Sequence, residues 1–349
     1  MADTSAVSNL PFGPPITPML ARGQPAIPRG EGWIYEPKWD GFRAVIFVDG
    51  EDTYICSRNG QPLQRYFPEL LPVISRAFRH PCIVDGEIII ASARGLDFDA
   101  LQMRIHPAES RVRKLAEEIP ASIVLFDLLA DGERDLRTDP FSKRRAALTR
   151  ALKPQPQARL TPQTIDPEEA VSWFDRYEGA GCDGVVAKRA NQVYAPGERT
   201  MIKVKHLRTV DCVVGGYREY AAGPGIGSLL LGLYDEAGVL HHVGHTSSFS
   251  AAERREVLAK LQPLVGGDSF GHGRTPGSPS RWSGAKDLSW VQVRPELVCE
   301  VNFEKLQGDR FRHAARFLRW RTDKDPGDCD FAQLETPTSF SLDDILEPV

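Results

Sequence analysis

The chain has 349 residues, a formal net charge of −4, 26% charged and 41% hydrophobic residues. At roughly 100–200 residues per domain this length predicts two domains, and the composition excludes a disordered chain. No apolar run reaches the ~18 residues of a membrane-spanning helix, and residues 1–13 have neither the basic start nor the apolar core of a secretory signal.

Residues 1–30 are rich in Pro, Gly and Ala and read as a tail or wrapping arm, with 1–15 as the tail proper. From Trp33 the pattern turns to strands. Residues 43–48 and 53–57 flank the turn Asp49-Gly50-Glu51-Asp52, a hairpin. Leu70, Leu71, Ile74 and Phe78 give helical spacing over 67–78, and 82–90 is an apolar strand. Residues 97–105 and 111–118 read as short helices, 122–129 as a buried strand and 141–152 as a basic helix. Asp166-Pro167-Glu168-Glu169 places an N-cap, a proline at the first helical position and an acidic first turn before Ala170, Trp173, Phe174 and Tyr177. Strands return at 184–188 and 201–205.

Past residue 208 short strands recur at 211–217, 229–234, 241–243 and 297–303, interrupted by a helix at 251–261. Such spacing predicts a small β-barrel. Residues 266–284 are rich in Gly, Ser and Pro and read as a mobile loop. The expected fold is α+β. A domain of antiparallel sheets and helices (16–207) precedes a barrel (208–330) and a C-terminal tail (331–349).

Six cysteines occur, none in a C-x-x-C pair, which points to reduced cytoplasmic thiols and excludes a zinc module built on Cys pairs. His241-His242-x-x-His245 lacks Cys or acidic companions at ligand spacing, so no metal is read there. No phosphate loop of the G-x-x-x-x-G-K-[ST] type is present.

The chemistry concentrates in Glu36-Pro37-Lys38-Trp39-Asp40-Gly41-Phe42-Arg43, which contains K-x-D-G-x-R. A lysine attacks only as the free amine, so a nucleophilic Lys38 needs burial, cations or a metal nearby to shed its proton. The alternative is an exposed lysine before a turn. Lys203 and Lys205, two apart in a strand, share a face opposite Ile202 and Val204, which suits either a phosphate cradle or a solvated edge. Glu87 lies in an apolar run, where an unpartnered carboxylate is costly and a metal or a ribose hydroxyl would satisfy it. Asp183 starts a strand that contains Lys188. Both D-G pairs, at 85–86 and 183–184, could equally be plain hairpin turns. Phe126 could stack on a base or simply fill the core, and Arg58 ends a hairpin strand. Residues 308–324 hold Arg310, Arg312, Arg316, Arg319, Arg321 and Lys324 against two aspartates, a basic segment that the net charge hides.

Taken in order, residues 36–43, 57–60, 85–87, 126–127, 183–188 and 203–205 resemble the nucleotidyltransferase motifs of covalent ligases and capping enzymes, and 319–324 is similar to their last motif. The likeness covers 16–326. Residues 227–235, 242–249, 294–301 and 311–324 are especially similar to the ATP-dependent DNA ligases of bacterial end-joining repair, in their small C-type form. The resemblance implies an adenylation domain followed by an OB-fold barrel. It implies that Lys38 carries AMP, Glu36 reads the adenine amino group and Phe126 stacks on the ring. Arg43, Arg58 and Glu87 would hold the ribose and the nearby metal, and Asp183 would complete a Mg²⁺ or Mn²⁺ site. Lys188, Lys203 and Lys205 would contact phosphates, and Arg321 and Lys324 would orient pyrophosphate. The other cations of the basic segment, Arg310, Arg312, Arg316 and Arg319, read as contacts to the DNA backbone. The fourth motif usually begins with Glu, and here it begins with the shorter Asp183.

The implied reaction is nick sealing in DNA repair through lysyl-AMP and adenylylated DNA, with the barrel swinging between steps. The implied protein is a cytoplasmic, nucleoid-associated monomer acting on nicked duplex DNA, with Ku or a primase-polymerase as partner. The rival with the same chemistry is an RNA ligase or capping-type nucleotidyltransferase. The rival from another class, a non-catalytic DNA-end binding module, would need a broken nucleophile motif.

Overall fold

Strand-forming residues dominate the first two hundred positions because β-branched and aromatic side chains alternate there with the polar residues of the motifs. The structure, a computed structural model, describes residues 7, 9–92, 95–271, 276, 289–334 and 345–346. The chain divides into two compact units, Met1–His206 with Pro337–Val349, and Leu207–Thr336.

The first unit runs β1 (Ala21–Gly23), β2 (Trp33–Pro37), β3 (Phe42–Asp49), β4 (Asp52–Ser57), α1 (Leu70–Ala77), β5 (Cys82–Ile89), β6 (Ala91–Ser92) and β7 (Gly95–Leu96). It continues with α2 (Phe98–Met103), α3 (Glu109–Glu118), β8 (Ser122–Asp131), β9 (Arg134–Asp135), α4 (Phe141–Ala151), β10 (Ala158–Leu160), α5 (Pro167–Arg176), β11 (Gly184–Arg189) and β12 (Met201–Lys205). These build a sheet in the order β10-β8-β5-β3-β4, with β9 beside β8, and a smaller sheet in the order β1-β12-β11-β2. Pairing is antiparallel except at two edges, β10 on β8 and β1 on β12, which are parallel.

On the larger sheet, period-2 alternation sends Ala44, Ile46, Val48, Val84, Ile88 and Leu125 into one core with Leu70 and Ile74 of α1 and Leu148 of α4. Each Val, Ile or Leu among them, fully buried, contributes about 1.5–3 kcal/mol. The smaller sheet buries Tyr35, Val185, Ala187, Ile202 and Val204 against Trp173 and Tyr177. The cap of α5 forms as the sequence suggests: the Asp166 carboxylate accepts from the Glu168 amide at 2.9 Å. Helix α1 starts at Leu70 rather than at Phe67, because Pro68 disfavours helical backbone in the residue before it. Phe67 sits at φ −131° and ψ 56° and is nonetheless fully buried.

The first described residues do not hang free as a tail. Val7, Leu10 and Phe12 join Val45, Phe47 and Tyr54 in a further cluster, and Asn9 hydrogen-bonds Asp49. Nor is 331–349 a loose end where it is described. Leu334 packs into the second unit's core and Ile345 and Leu346 into the first unit's, since apolar side chains gain by leaving water.

The second unit runs β13 (Arg208–Glu219), β14 (Ile226–Tyr234), β15 (Leu240–Thr246), α6 (Ala251–Leu261), β16 (Val291–Gln292), β17 (Val298–Phe303), β18 (Leu306–Gln307), β19 (Arg310–Phe311) and β20 (Arg316–Trp320). A half-barrel sheet of the OB type, β15-β14-β13-β17-β20 with β16 on β13, wraps Val210, Val214, Leu229, Leu231, Val243, Val298 and Val301. Val257 and Leu261 of α6 pack on it, and Ser250 and Glu253 close a capping box at that helix's start. The basic segment 308–324 forms β19 and β20, where Phe311 and Phe317 alternate with arginines. The loop expected over 266–284 lies mostly outside the described residues. All six cysteines are buried and unbridged.

Candidate active site

Strand β2 ends at Pro37, and the next residue is pinned from both sides. The Lys38 amide donates to the Gly184 carbonyl and the Asp183 amide donates to the Lys38 carbonyl, each at 2.8 Å. The D-G pairs at 40–41 and 183–184 are therefore not ordinary turns, and the pair at 85–86 lies inside β5. A Cβ on Gly41 would lie 2.1 Å from the Ile88 carbonyl oxygen. One on Gly184, whose φ is +135°, would lie 2.1 Å from the Val204 carbonyl oxygen. Only glycine permits this approach.

The same two motifs bring Lys38 Nζ to 2.7 Å from Asp183 Oδ2, and Lys205 Nζ to 3.9 Å from that oxygen. Burial pushes the Lys38 ammonium toward neutrality. Asp183, helped by Glu87 and Asp40, outweighs it and leaves the pKa above its ordinary value. Burial pushes Glu87 up to about 7, against the pull of Arg43 and Lys38. Among the described residues no group of three or more potential metal ligands is assembled.

Along the smaller sheet Glu36, Val186 and Lys203 stand in register, with Lys205 opposite Gly184. Lys203 and Lys205 are partly exposed while Ile202 and Val204 are buried, the division that their spacing requires. Lys188, two along from Val186, turns to Glu36, with Nζ 2.6 Å from Oε2. Burial lowers the Lys188 pKa against that pull. The other carboxylate oxygen, Glu36 Oε1, is buried with no hydrogen-bond partner, a costly state that a ligand donor would relieve.

Beside this pair lies Phe126, 7% exposed. It belongs to none of the hydrophobic clusters of the unit. Instead Arg43 lies 4.4 Å and Lys188 4.6 Å from its ring centroid.

Sequence reasoning missed the groups that hold this set in place. Arg43 grips Asp85 through two bonds of 2.6 and 2.7 Å, the Tyr194 hydroxyl donates to Asp85 at 2.6 Å, and the Met19 amide donates to that hydroxyl at 3.1 Å. Arg144 makes two bonds of 2.8 Å to Asp127, both residues buried. A signal for Asp85 existed, since period-2 spacing puts it on the face of Glu87. Nothing local marks Tyr194 or Arg144. Arg58 is exposed after β4 and joins no ion pair or hydrogen bond of the cluster.

In the second unit Arg321 binds Asp211 at 2.8 Å and Asp323 at 2.9 Å, and Lys324 Nζ stands 3.6 Å from Asp211. The hydrogen bond to Asp323, with Asp211, raises the Arg321 pKa, and Arg321 holds Asp323 down at about 2. Arg319, on β20, pairs with Glu300 at 2.6 Å. Arg316 is exposed on the same strand, while Arg310 on β19 and Arg312 after it are partly exposed.

Residues 18–205 match the family model described as the ATP-dependent DNA ligase domain, and 222–324 match the ATP-dependent DNA ligase C-terminal region. DNA ligase C of Mycobacterium tuberculosis is 51% identical over 97% of this chain and 98% of its own. DNA ligase C1 of Mycolicibacterium smegmatis is 48% identical over 97% and 99%. A solved Lig E DNA ligase shares the fold at a TM-score of 0.52 and 20% identity, over 87% of this chain and 99% of that chain.

Proposed function

Because the chain belongs to the ATP-dependent DNA ligases, and among them to the bacterial C type, we propose that Lys38 is the nucleophile that carries AMP and that its neighbours divide the remaining work. The enzyme seals nicks in DNA, using ATP through a ligase-adenylate. That family assignment sets aside the RNA-ligase, capping and non-catalytic alternatives.

In this reading Lys38 Nζ attacks the α-phosphorus of ATP, the bond to the β-phosphate breaks and pyrophosphate leaves. The ammonium must first lose a proton, and Asp183 Oδ2, 2.7 Å away, is the nearest acceptor. The 5′-phosphate at the nick then takes AMP from Lys38. The 3′-hydroxyl finally attacks that phosphate and releases AMP. Lys203 and Lys205 line the face along which the triphosphate would lie, and Arg321 and Lys324 orient the leaving pyrophosphate. Lys188 Nζ meets Glu36 and the Phe126 ring, so in this reading its charge serves the base-binding pair, and a phosphate contact would have to draw it from Glu36.

The observation that carries the nucleotide assignment is Glu36 Oε1. An adenine exocyclic amine would donate to this orphaned acceptor, whereas guanine presents a carbonyl at the same edge. Glu87 and Asp183 suit Mg²⁺ or Mn²⁺, because Mg²⁺ commonly takes one or two carboxylates and completes its shell with substrate phosphates and water. Bound there, such an ion would neutralise charge developing on the phosphates. We further infer a single-subunit cytoplasmic enzyme with Ku or a primase-polymerase as its partner in repair. In the described residues no helix is long and apolar enough to cross a membrane.

The test is Lys38→Ala with α-labelled ATP. Transfer of label to protein should vanish, while a nick that is already adenylylated should still be sealed. Label retained at the normal level would remove Lys38 from the role.

A further inference from the structure

The second unit carries a basic cluster that none of these assignments uses. Gly216 of β13, Leu230 of β14 and His245 of β15 lie in register, and Arg218 pairs with Ser228 two positions along. Tyr217, Leu229, Leu231 and Val243 point into the barrel core. Alternation therefore puts Arg218 and His245 on the opposite face. A register shift after Leu231 sets His242 opposite Gly232, which returns it to that same face. Phe270 meets the His242 ring edge-on at 5.4 Å and closes one side of the cluster.

These groups are not compensated. Neither ring nitrogen of His242 nor Nε of Arg218 has a hydrogen-bond partner, although all three atoms are buried. Among the described residues no carboxylate pairs with Arg218, His242 or His245. Burial alone lowers the Arg218 pKa. Burial, then Arg310, Arg218 and His245, push His242 down to about 3, and burial with Arg218 lowers His245. A guanidinium and two imidazoles crowded without a counter-charge cost stability, and such sites persist where a ligand repays them.

We propose that Arg218, His242 and His245 form a phosphate-binding site on the outer face of the second unit's sheet, and that it takes a backbone phosphodiester of the nicked duplex. Arg218 supplies a forked donor to two phosphate oxygens and the imidazoles supply single N–H donors. The inference rests on the reading of this protein as a nick-binding ligase.

The experiment compares unaltered protein, Arg218→Gln, Arg218→Lys and His242→Gln in two arms. One arm measures binding to a nicked duplex across a salt series. The other measures adenylylation from α-labelled ATP and its inhibition by pyrophosphate. Arg218→Gln should weaken nick binding several-fold at low salt and flatten the slope of log K against log salt by about 0.9, the loss of one phosphate contact. Arg218→Lys, keeping the charge, should hold most of that slope, and both should adenylylate and respond to pyrophosphate normally. Weakened pyrophosphate inhibition with an unchanged DNA slope would support a phosphate site but assign it to the leaving group. Unchanged behaviour of folded Arg218→Gln and His242→Gln in both arms would overturn the site. Nick sealing by the unaltered protein checks the underlying reading separately.

Discussion

The two units treat buried charge in opposite ways. In the first, four cations of the site each have a carboxylate: Lys38 has Asp183, Arg43 has Asp85, Lys188 has Glu36 and Arg144 has Asp127. In the second, Arg321 and Lys324 share Asp211, while Arg218, His242 and His245 have no such partner among the described residues. Paired charges hold side chains in one geometry before a ligand arrives, and binding must exchange partners. A guanidinium without a counter-charge, crowded by buried imidazoles, holds free-energy strain that an anion relieves. The contrast suits a site that must orient a small triphosphate on one side and a surface that must grip a polyanion on the other.

The sharpest way to break the contrast is to remove one carboxylate of a buried pair. Asp127→Ala leaves the Arg144 guanidinium buried and should cost about 3–5 kcal/mol, read as a lowered urea midpoint. Replacing both partners, Asp127→Leu with Arg144→Met, should recover much of that loss. If the single change costs under ~1 kcal/mol, the pair is not holding the site.

Next comes the ring between two cations. Phe126→Ala should weaken ATP binding by about 1–3 kcal/mol if adenine stacks there, measured as a raised KM for adenylylation. Because Phe126 is buried, the thermal midpoint should fall as well, and the change in KM is the reading that separates stacking from packing. A large fall in melting temperature with KM unchanged would return the residue to a packing role.

The unpaired cluster predicts a pH signature of about 2 kcal/mol. His242 binds its proton near pH 3 when folded and at its ordinary value of about 6.5 when unfolded. Between those values the unfolded chain holds more protons, so stability present above about pH 6.5 is lost as pH falls. Acidifying from pH 7 to pH 5 should therefore weaken the second unit, at about 1.4 kcal/mol per pH unit below 6.5. Denaturation of His242→Gln at the two pH values should show a smaller difference than the unaltered protein. Equal differences would show that His242 is not buried neutral.

The smallest effects concern two arginines of the basic segment. Arg316→Ala should flatten the salt slope of nick binding by about 0.9 and spare adenylylation. Arg321→Ala should slow adenylylation and spare sealing of a pre-adenylylated nick. The same response from both would merge the two tasks assigned to the basic segment.

Much of the first unit's site is legible before any folding, because its residues lie in short runs with their own backbone demands. K-x-D-G marks a candidate nucleophile and the Lys203/Lys205 alternation announces a two-faced strand, but the close backbone approach at Gly41 and Gly184 shows only in the fold. Phe126 is legible as an aromatic in an apolar strand, but not as a ring flanked by Arg43 and Lys188. Asp85 could be placed on the face of Glu87, yet its role as the grip on Arg43 depends on Tyr194, 109 residues away in sequence. In the second unit the basic segment is visible as composition. Its form as β19 and β20, and the meeting of Arg218 with His242, are not.

What local sequence determines here is the period of each strand, the cap of α5 and the residue types available for phosphoryl transfer. These depend on neighbours within a few positions, where sterics and hydrogen bonding act directly. Tertiary structure alone decides which carboxylate each cation meets. Asp183 lies 145 residues from Lys38, and Asp211 lies 110 from Arg321. Charge pairing falls off with distance in space and is blind to distance along the chain. The partners are therefore set by sheet order and register, which are fixed by burying the apolar faces.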